Sequence, residues 1–272
     1  MADRAPASTT RVYAKLVGAR LRGQLSYRAS FLLQCLAQAV NQLGELTIIL
    51  VLFNRVTALG GFSVHEVVLM YAIAGTAFGF ADLVAGQLDE LPTYIRTGTF
   101  DVLLLRPLGT LAQMMASDLH LRKLGRIVAG LAALAYALVA NDIAWSPLVV
   151  ALVVVTPISG AVIFSSVWVA ANALCFWVVD GQELANTVTY GSNAFTSYPA
   201  TVYGPWLRRF FAFVIPGAFV AYYPALALLD RPDPLGGPAL LGWLSPLVAV
   251  ATAVVAGLVW RTAVRHYRGT GS

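Results

Sequence analysis

Residues 148–178, LVVALVVVTPISGAVIFSSVWVAANALCFWV, contain no charged side chain. An α-helix crosses the hydrocarbon core of a bilayer with about 20 apolar residues, so this stretch is long enough to span a membrane. Because it exceeds one crossing, we expect it either to tilt or to project beyond the bilayer. Four further stretches have the same apolar character: 31–53, 66–85, 124–141 and 240–261. The sequence therefore predicts an all-α integral membrane protein.

The composition agrees with this fold class. Of the 272 residues, 58% are hydrophobic and 11% are charged, whereas soluble domains carry about 25% charged residues. The length suits one transmembrane domain over 1–272, with no separate soluble domain. A basic face on a soluble fold would indicate nucleic-acid binding, and the sequence has none, so we expect the lipid bilayer and no nucleic acid among its partners.

Basic residues flank the apolar stretches at both ends of the chain: Arg4, Arg11, Lys15, Arg20, Arg22, Arg28, Arg261, Arg265 and Arg268. Lys and Arg collect on the cytoplasmic side of membrane proteins. Both termini are therefore predicted to be cytoplasmic, and arginine-rich, alanine-rich usage suggests the inner membrane of a bacterial cell. Residues 10–28 are predicted to form an amphipathic helix on the membrane surface, with Arg11, Lys15 and Arg22 on one face.

Two termini on one side require an even number of crossings, so a sixth must lie between Asp180 and Gly237. Residues 206–229 are the more apolar candidate, but Pro216-Gly217 interrupts them. Residues 184–203 are the other candidate, although they are polar enough to escape a hydropathy scan. A break at mid-membrane leaves backbone groups without hydrogen bonds, whereas Arg208 and Arg209 favour 206–229 as the span, since it would place them inside.

The residues indicate no chemistry carried out by this chain alone. A nucleotide-binding loop needs glycines followed by Lys-Ser or Lys-Thr, but the only lysines are Lys15 and Lys123, and neither is in such a loop. His65-Glu66 begins like the zinc motif H-E-x-x-H, but Leu69 occupies the position of the second histidine. We therefore expect no catalytic residue, metal site or cofactor on this chain.

The polar loop at 86–109 contains a short helix signal in 89–98, DELPTYIRTG. Acidic residues precede a proline in the first turn, and Gly98 follows the end, as at many helix termini. A helix of two turns is marginal by itself, so something must hold it. The residues leave two readings open, a helix that rests on the bilayer and a docking helix for a cytoplasmic partner.

Four segments carry a resemblance to a known family: 95–108 (IRTGTFDVLLLRPL), 198–203 (YPATVY), 213–219 (FVIPGAF) and 222–225 (YYPA). They resemble type-2 ABC exporter permeases, in particular bacterial six-span subunits of about 260 residues. The resemblance implies a second permease, identical or homologous, and two copies of an ABC ATPase subunit, which would bind the ATP and Mg. It also implies that 86–109 is a cytoplasmic coupling loop, that 184–203 is the fifth span and that 201–237 form external half-helices.

The same resemblance assigns two sets of site residues. Coupling to the ATPase would fall to the short helix of the loop, at Asp89, Glu90, Pro92, Tyr94, Ile95, Arg96 and Gly98. The first and fifth spans would approach the dimer axis, and each has a polar stripe on one helical face. Such stripes must face protein or water, so they either line the translocation pathway or join helices by hydrogen bonds. The pathway candidates are Gln38, Asn41, Glu45, Asn186, Tyr190 and Asn193.

The predicted function is thus the membrane-spanning permease subunit of an ATP-driven ABC exporter. An ion-coupled secondary transporter is the alternative, but it would concentrate ionisable residues at mid-membrane, where Glu45 is nearly alone. An intramembrane enzyme is the third possibility, since 157–160 resemble an intramembrane serine-protease motif, although Ser159 lacks a histidine within a span to activate it.

Overall fold

The computed structural model describes residues 28–117, 121–178 and 181–267, and these are helical without a β-strand among them. The predicted surface helix at 10–28 lies outside the described residues, apart from Arg28. In chain order the described α-helices are α1 (Arg28–Phe53), α2 (Val64–Ala85), α3 (Leu91–Arg96), α4 (Thr99–Leu104), α5 (Thr110–Ser117), α6 (Leu124–Ala140), α7 (Pro147–Ala173), α8 (Gln182–Thr196), α9 (Pro205–Arg209), α10 (Tyr222–Leu228) and α11 (Ser245–His266).

Five helical runs are long and apolar enough to cross a membrane: Ala29–Phe53, Val64–Arg96, Leu121–Ala140, Pro147–Phe176 and Ser245–His266. They correspond to the five apolar stretches predicted from the sequence. The last begins five residues later than predicted, because Ala239–Trp243 form a separate 3₁₀ turn. The run from Val64 continues through the 3₁₀ turn Gly86–Glu90 into α3.

The long helices run between two ends of the bundle. The turn end comprises 54–63, 141–146, 197–204 and 229–244, and the loop end comprises 86–117, 121–123 and 174–178. At the turn end, the Asn141 side-chain amide donates to the His65 carbonyl at 2.9 Å. At the loop end, the Cys35 thiol donates to the Leu121 carbonyl at 3.7 Å.

Helix α2 forms the centre of the bundle, and glycines let its neighbours approach closely. A Cβ added at Gly75 would collide with the Gln42 side chain of α1, and one at Gly79 would lie 2.9 Å from Ile127 of α6. The spacing G-x-x-x-G of Gly75 and Gly79 thus serves close helix packing. By contrast α1 is held mainly by α6 and the turn before it. Only 11% of the most apolar 18-residue stretch of this helix is buried against the rest of the chain.

Helix α8 and the residues after it run alongside the full length of α2. The Gln182 side-chain amide donates to the Asp89 carbonyl (3.3 Å), beyond one end of α2. The Thr201 hydroxyl donates to the Gly60 carbonyl (2.8 Å), beyond the other end. The helix stops at Thr196, earlier than the predicted bound of 203, and a 3₁₀ turn at Ala200–Val202 follows Pro199.

The apolar segment after α8 is broken, as Pro216-Gly217 predicted. Helical runs Pro205–Val214 and Gly217–Leu228 meet at a bend of 73°. Near the break, a Cβ added at Gly160, midway along α7, would lie 3.0 Å from Val220. Beyond α10, Arg231 pairs with Glu66 at 2.6 Å, at the start of α2. The segment therefore leaves the turn end, reaches the middle of the bundle and returns to the turn end.

Candidate functional site

The loop between α2 and α6 is built from short helices joined by a left-handed residue. Gly98 has φ +68° and stands directly before α4, a conformation that glycine adopts at no steric cost. The Gln113 side-chain amide donates to the Leu103 and Leu108 carbonyls, both at 2.8 Å. These bonds fasten α4 to α5, so the loop has a defined shape.

Aromatic side chains fix this loop to the long helices. Phe100 of α4 is fully buried, and its ring centroid lies 5.1 Å from that of Phe176 and 4.9 Å from that of Tyr267. The Trp260 indole donates to the Thr110 hydroxyl at 3.2 Å. The loop is therefore packed against the residues that directly follow α7 and α11.

The outer surface of the loop carries an apolar tip, which consists of Val102, Leu104 and Leu105. Their exposed fractions are 48%, 45% and 84%, respectively. Arg106 and Asp101 beside them are also exposed. Exposed apolar groups rimmed by polar ones are typical of a protein interaction surface. The tip lies within the predicted coupling loop 86–109, but the single residues that the resemblance assigns to coupling end at Gly98.

The residues assigned to coupling lie in different surroundings. Glu90 and Arg96 are exposed, Tyr94 and Ile95 are half-buried, and Pro92 is buried. A direct contact with a partner is therefore open to Glu90 and Arg96, whereas Pro92 can contribute only to the packing of the loop. Their role in coupling stays a prediction.

Asp89 is turned toward the bundle. Its Oδ1 accepts a hydrogen bond from the Trp168 indole of α7 at 2.6 Å, and its Oδ2 accepts one from the Tyr190 hydroxyl of α8 at 3.4 Å. Its carbonyl accepts the bond from Gln182 described above. One residue of the loop is thus bonded to both α7 and α8, and Tyr190 is itself one of the predicted pathway residues.

The polar stripe of α1 divides into a packing part and a more open part. The Gln42 amide donates to the Tyr71 hydroxyl at 2.6 Å, and this hydroxyl donates back to the Gln42 carbonyl. Both residues are buried, so Gln42 joins α1 to α2. Gln38 is half-buried and Asn41 is exposed, which leaves them on the side of α1 that the described chain does not cover.

Glu45 has a charged partner that the sequence analysis missed. Its carboxylate lies 3.7 Å from the Arg126 guanidinium. Arg126 is 7% exposed, and its guanidinium carbon lies 5.0 Å from the centroid of the Phe78 ring. The signal was available, because Arg126 falls inside the predicted span 124–141 and an ionisable residue within a span indicates function or pairing.

The polar stripe of α8 is likewise partly open. Tyr190 is exposed, and Asn186 and Asn193 are half-buried. Thr189 and Ser192 are buried and donate to carbonyls of their own helix. No hydrogen bond joins the stripes of α1 and α8 within 28–117, 121–178 and 181–267. Each stripe therefore presents polar groups that the described chain leaves uncovered.

Long apolar helices are the mark of a multi-pass membrane protein, and this one has a structured loop with an apolar tip and two uncovered polar stripes. A family model described as "ABC-2 family transporter protein" matches residues 39–271. The chain belongs to this family, whose members are the membrane permeases of ABC transporters. The resemblance found in the sequence is thereby confirmed. Comparisons with curated proteins and with solved structures gave no match.

Proposed function

We propose that this chain is the permease subunit of an ATP-driven exporter, that it forms the translocation pathway together with a second permease, and that it is driven by two separate ABC ATPase subunits. The observation that carries the proposal is the loop between α2 and α6. On its inner side, Phe100 packs against Phe176 and Tyr267, which directly follow α7 and α11. On its outer side, the loop exposes the apolar tip. A surface of this kind suits the transfer of motion from a docked protein to the helices.

The uncovered polar stripes support a second permease. A polar side chain that faces lipid is costly, so Asn41 on α1 and Asn186 on α8 need protein or water beside them. A second copy, or a homologous chain, placed against α1 and α8 would enclose both stripes. The space between the two chains would then be polar, as a pathway requires.

The proposed topology has six crossings with the loop end in the cytoplasm. The fifth crossing is the segment 182–201, because its two anchors lie beyond opposite ends of α2. The bent segment 205–228 is a re-entrant pair on the outside. Cationic side chains support this orientation. Those within or next to the loop end outnumber those within or next to the turn end: Arg96, Arg106, Arg122, Lys123, Arg261 and Arg265 against Arg55, Arg208, Arg209 and Arg231.

Cysteine labelling tests this topology. In a background with Cys35→Ser and Cys175→Ala, single cysteines at Trp206 and Leu235 are expected to react with an impermeant maleimide added to spheroplasts. A cysteine at Leu105 is expected to react only after the membrane is opened. If 206–229 crossed the membrane instead, Trp206 and Leu235 would be labelled from opposite sides.

ATP hydrolysis by the complex and by its parts tests the proposed function itself. The chain lacks a phosphate-binding loop, so the purified permease is expected to hydrolyse no ATP, whereas the complex with its ATPase subunit should hydrolyse ATP with Mg. Nucleotide turnover by the permease alone, free of other ATPases, would refute the proposal. A permease that binds no ATPase subunit would refute it equally.

One observation favours the alternative of an ion-coupled secondary transporter. The Glu45–Arg126 pair places two ionisable groups within the spans, which the sequence analysis had not recognised. Such a transporter would move its substrate under an ion gradient without nucleotide. Uptake or release that needs only a proton or sodium gradient, in vesicles without the ATPase subunit, would identify it.

A further inference from the structure

We propose that Asp89 is a positioning residue that ties the ATPase-docking loop to α8, so that displacement of the loop moves the polar stripe of α8. The inference rests on the proposed function, because it assumes that an ATPase subunit docks on the loop. It adds a specific connection between the docking surface and the pathway, made by one carboxylate and its two side-chain donors.

The connection is short on the loop side. Asp89 lies in the 3₁₀ turn Gly86–Glu90, and α3 begins two residues later at Leu91. Leu88 and Leu91 on either side are fully buried. Only Glu90 separates Asp89 from the first residue of α3, so a movement of α3 would carry the Asp89 carboxylate with it.

The connection is equally short on the pathway side. Tyr190 lies between Asn186 and Asn193 along α8, and residues three or four apart share one face of a helix. The Tyr190 hydroxyl donates to the Asp89 carboxylate, while Gln182 at the start of the same helix donates to the Asp89 carbonyl. Two points of α8 are thus attached to one residue of the loop.

A packed aromatic cluster surrounds the Asp89 carboxylate. It consists of Phe78, Trp168 and Tyr190, with ring centroids 5.2 to 5.7 Å apart. Phe78 and Trp168 are fully buried. Side chains in such close contact pass strain on to one another. Phe78 also contacts the Arg126 guanidinium, which pairs with Glu45. The stripe of α1 is therefore attached to the same cluster.

Intermediate position does not by itself demonstrate coupling, so the test measures movement of α8 directly. In the background without native cysteines, a cysteine replaces Asn193, and the permease is reconstituted with its ATPase subunit in nanodiscs. The rate of modification by an impermeant maleimide is measured without nucleotide and with ATP and vanadate. Trapping is expected to change this rate by about fivefold or more, and Tyr190→Phe is expected to reduce the change to below about twofold.

Tyr190→Phe is the principal variant, because Tyr190 is 45% exposed and loses only its hydroxyl. Formation of the complex with the ATPase subunit should stay at the level of the parent, because Tyr190 is not part of the apolar tip that would dock the subunit. Asp89→Asn is the second variant, and the double variant should behave like either single one, since both interrupt the same connection. The matched controls are Tyr136→Phe and Asp142→Asn, two exposed residues away from the cluster, and both should respond to trapping like the parent.

The outcomes separate this inference from the proposed function. If Asn193→Cys still responds fully to trapping in both the Tyr190→Phe and the Asp89→Asn backgrounds, the inference is overturned and the proposed function stands. If the parent itself shows no response while the ATPase subunit hydrolyses ATP, a pathway role for α8 is overturned as well. Loss of the response in both variants, but in neither control, supports the inference.

Discussion

Replacing Leu105 with aspartate is expected to abolish stable binding of the ABC ATPase subunit. Leu105 is 84% exposed at the apolar tip, and a docked subunit would bury it. An unpaired carboxylate in a buried contact is strongly unfavourable. A central interface residue of this kind typically contributes about 2–4 kcal/mol, which weakens binding by roughly 30- to 1,000-fold. Titration of the ATPase subunit against the detergent-solubilised permease measures the change.

Leu240→Asp is the matched control, because Leu240 is also an exposed leucine (64%) but belongs to the turn end. It should leave ATPase binding unchanged. Should the Leu105→Asp permease bind the ATPase subunit like the parent, the apolar tip would not be the docking surface. The tip would then rest on the bilayer, the alternative that the sequence left open for this loop.

Replacing Lys123 with methionine is expected to destabilise the permease by about 3–5 kcal/mol, as is typical when one partner of a buried ion pair is removed. The Lys123 ammonium donates to the Asp82 carboxylate at 2.6 Å and to the Asp82 carbonyl at 3.0 Å. Asp82 is 8% exposed, so its charge would be left without a partner inside the bundle. Denaturant unfolding in detergent micelles, followed by tryptophan fluorescence, measures the loss.

The double variant Asp82→Asn with Lys123→Met should recover most of this stability, because it leaves no unpaired charge. The neighbouring Arg122 is exposed, and Arg122→Met should change the free energy of unfolding by less than about 0.5 kcal/mol. Equal stability of the Lys123→Met variant and the parent would mean that water reaches the Asp82 carboxylate in the folded protein.

The five long spans could be predicted because length and hydropathy alone decide whether a helix enters a bilayer. Helix α8 could not be recognised in this way. Its Asn, Thr and Ser side chains lower its hydropathy, and its proposed crossing rests on tertiary contacts at Asp89 and Gly60. The break at Pro216-Gly217 was foreseen because proline and glycine act on the local backbone.

The site was less predictable than the fold. Gly98 could be assigned a left-handed conformation from its place after a short helix, and it has φ +68°. The orientation of Asp89 could not be foreseen, because Trp168 and Tyr190 come from helices far away in sequence. The sequence marks Arg126 as an ionisable residue within a predicted span, but its pairing with Glu45 and its packing against Phe78 are visible only in the structure.

The loose attachment of α1 has a consequence for biogenesis. Near the loop end, α1 is joined to the rest of the chain by the hydrogen bond from the Cys35 thiol to the carbonyl of Leu121, 86 residues later in the sequence. At a synthesis rate of about 5–20 residues per second, this partner is made roughly 4–17 s after Cys35. During that interval α1 resides in the membrane without α6, and Glu45 lacks Arg126. The pair of Glu45 and Arg126 can therefore form only after the third long helix has been synthesised.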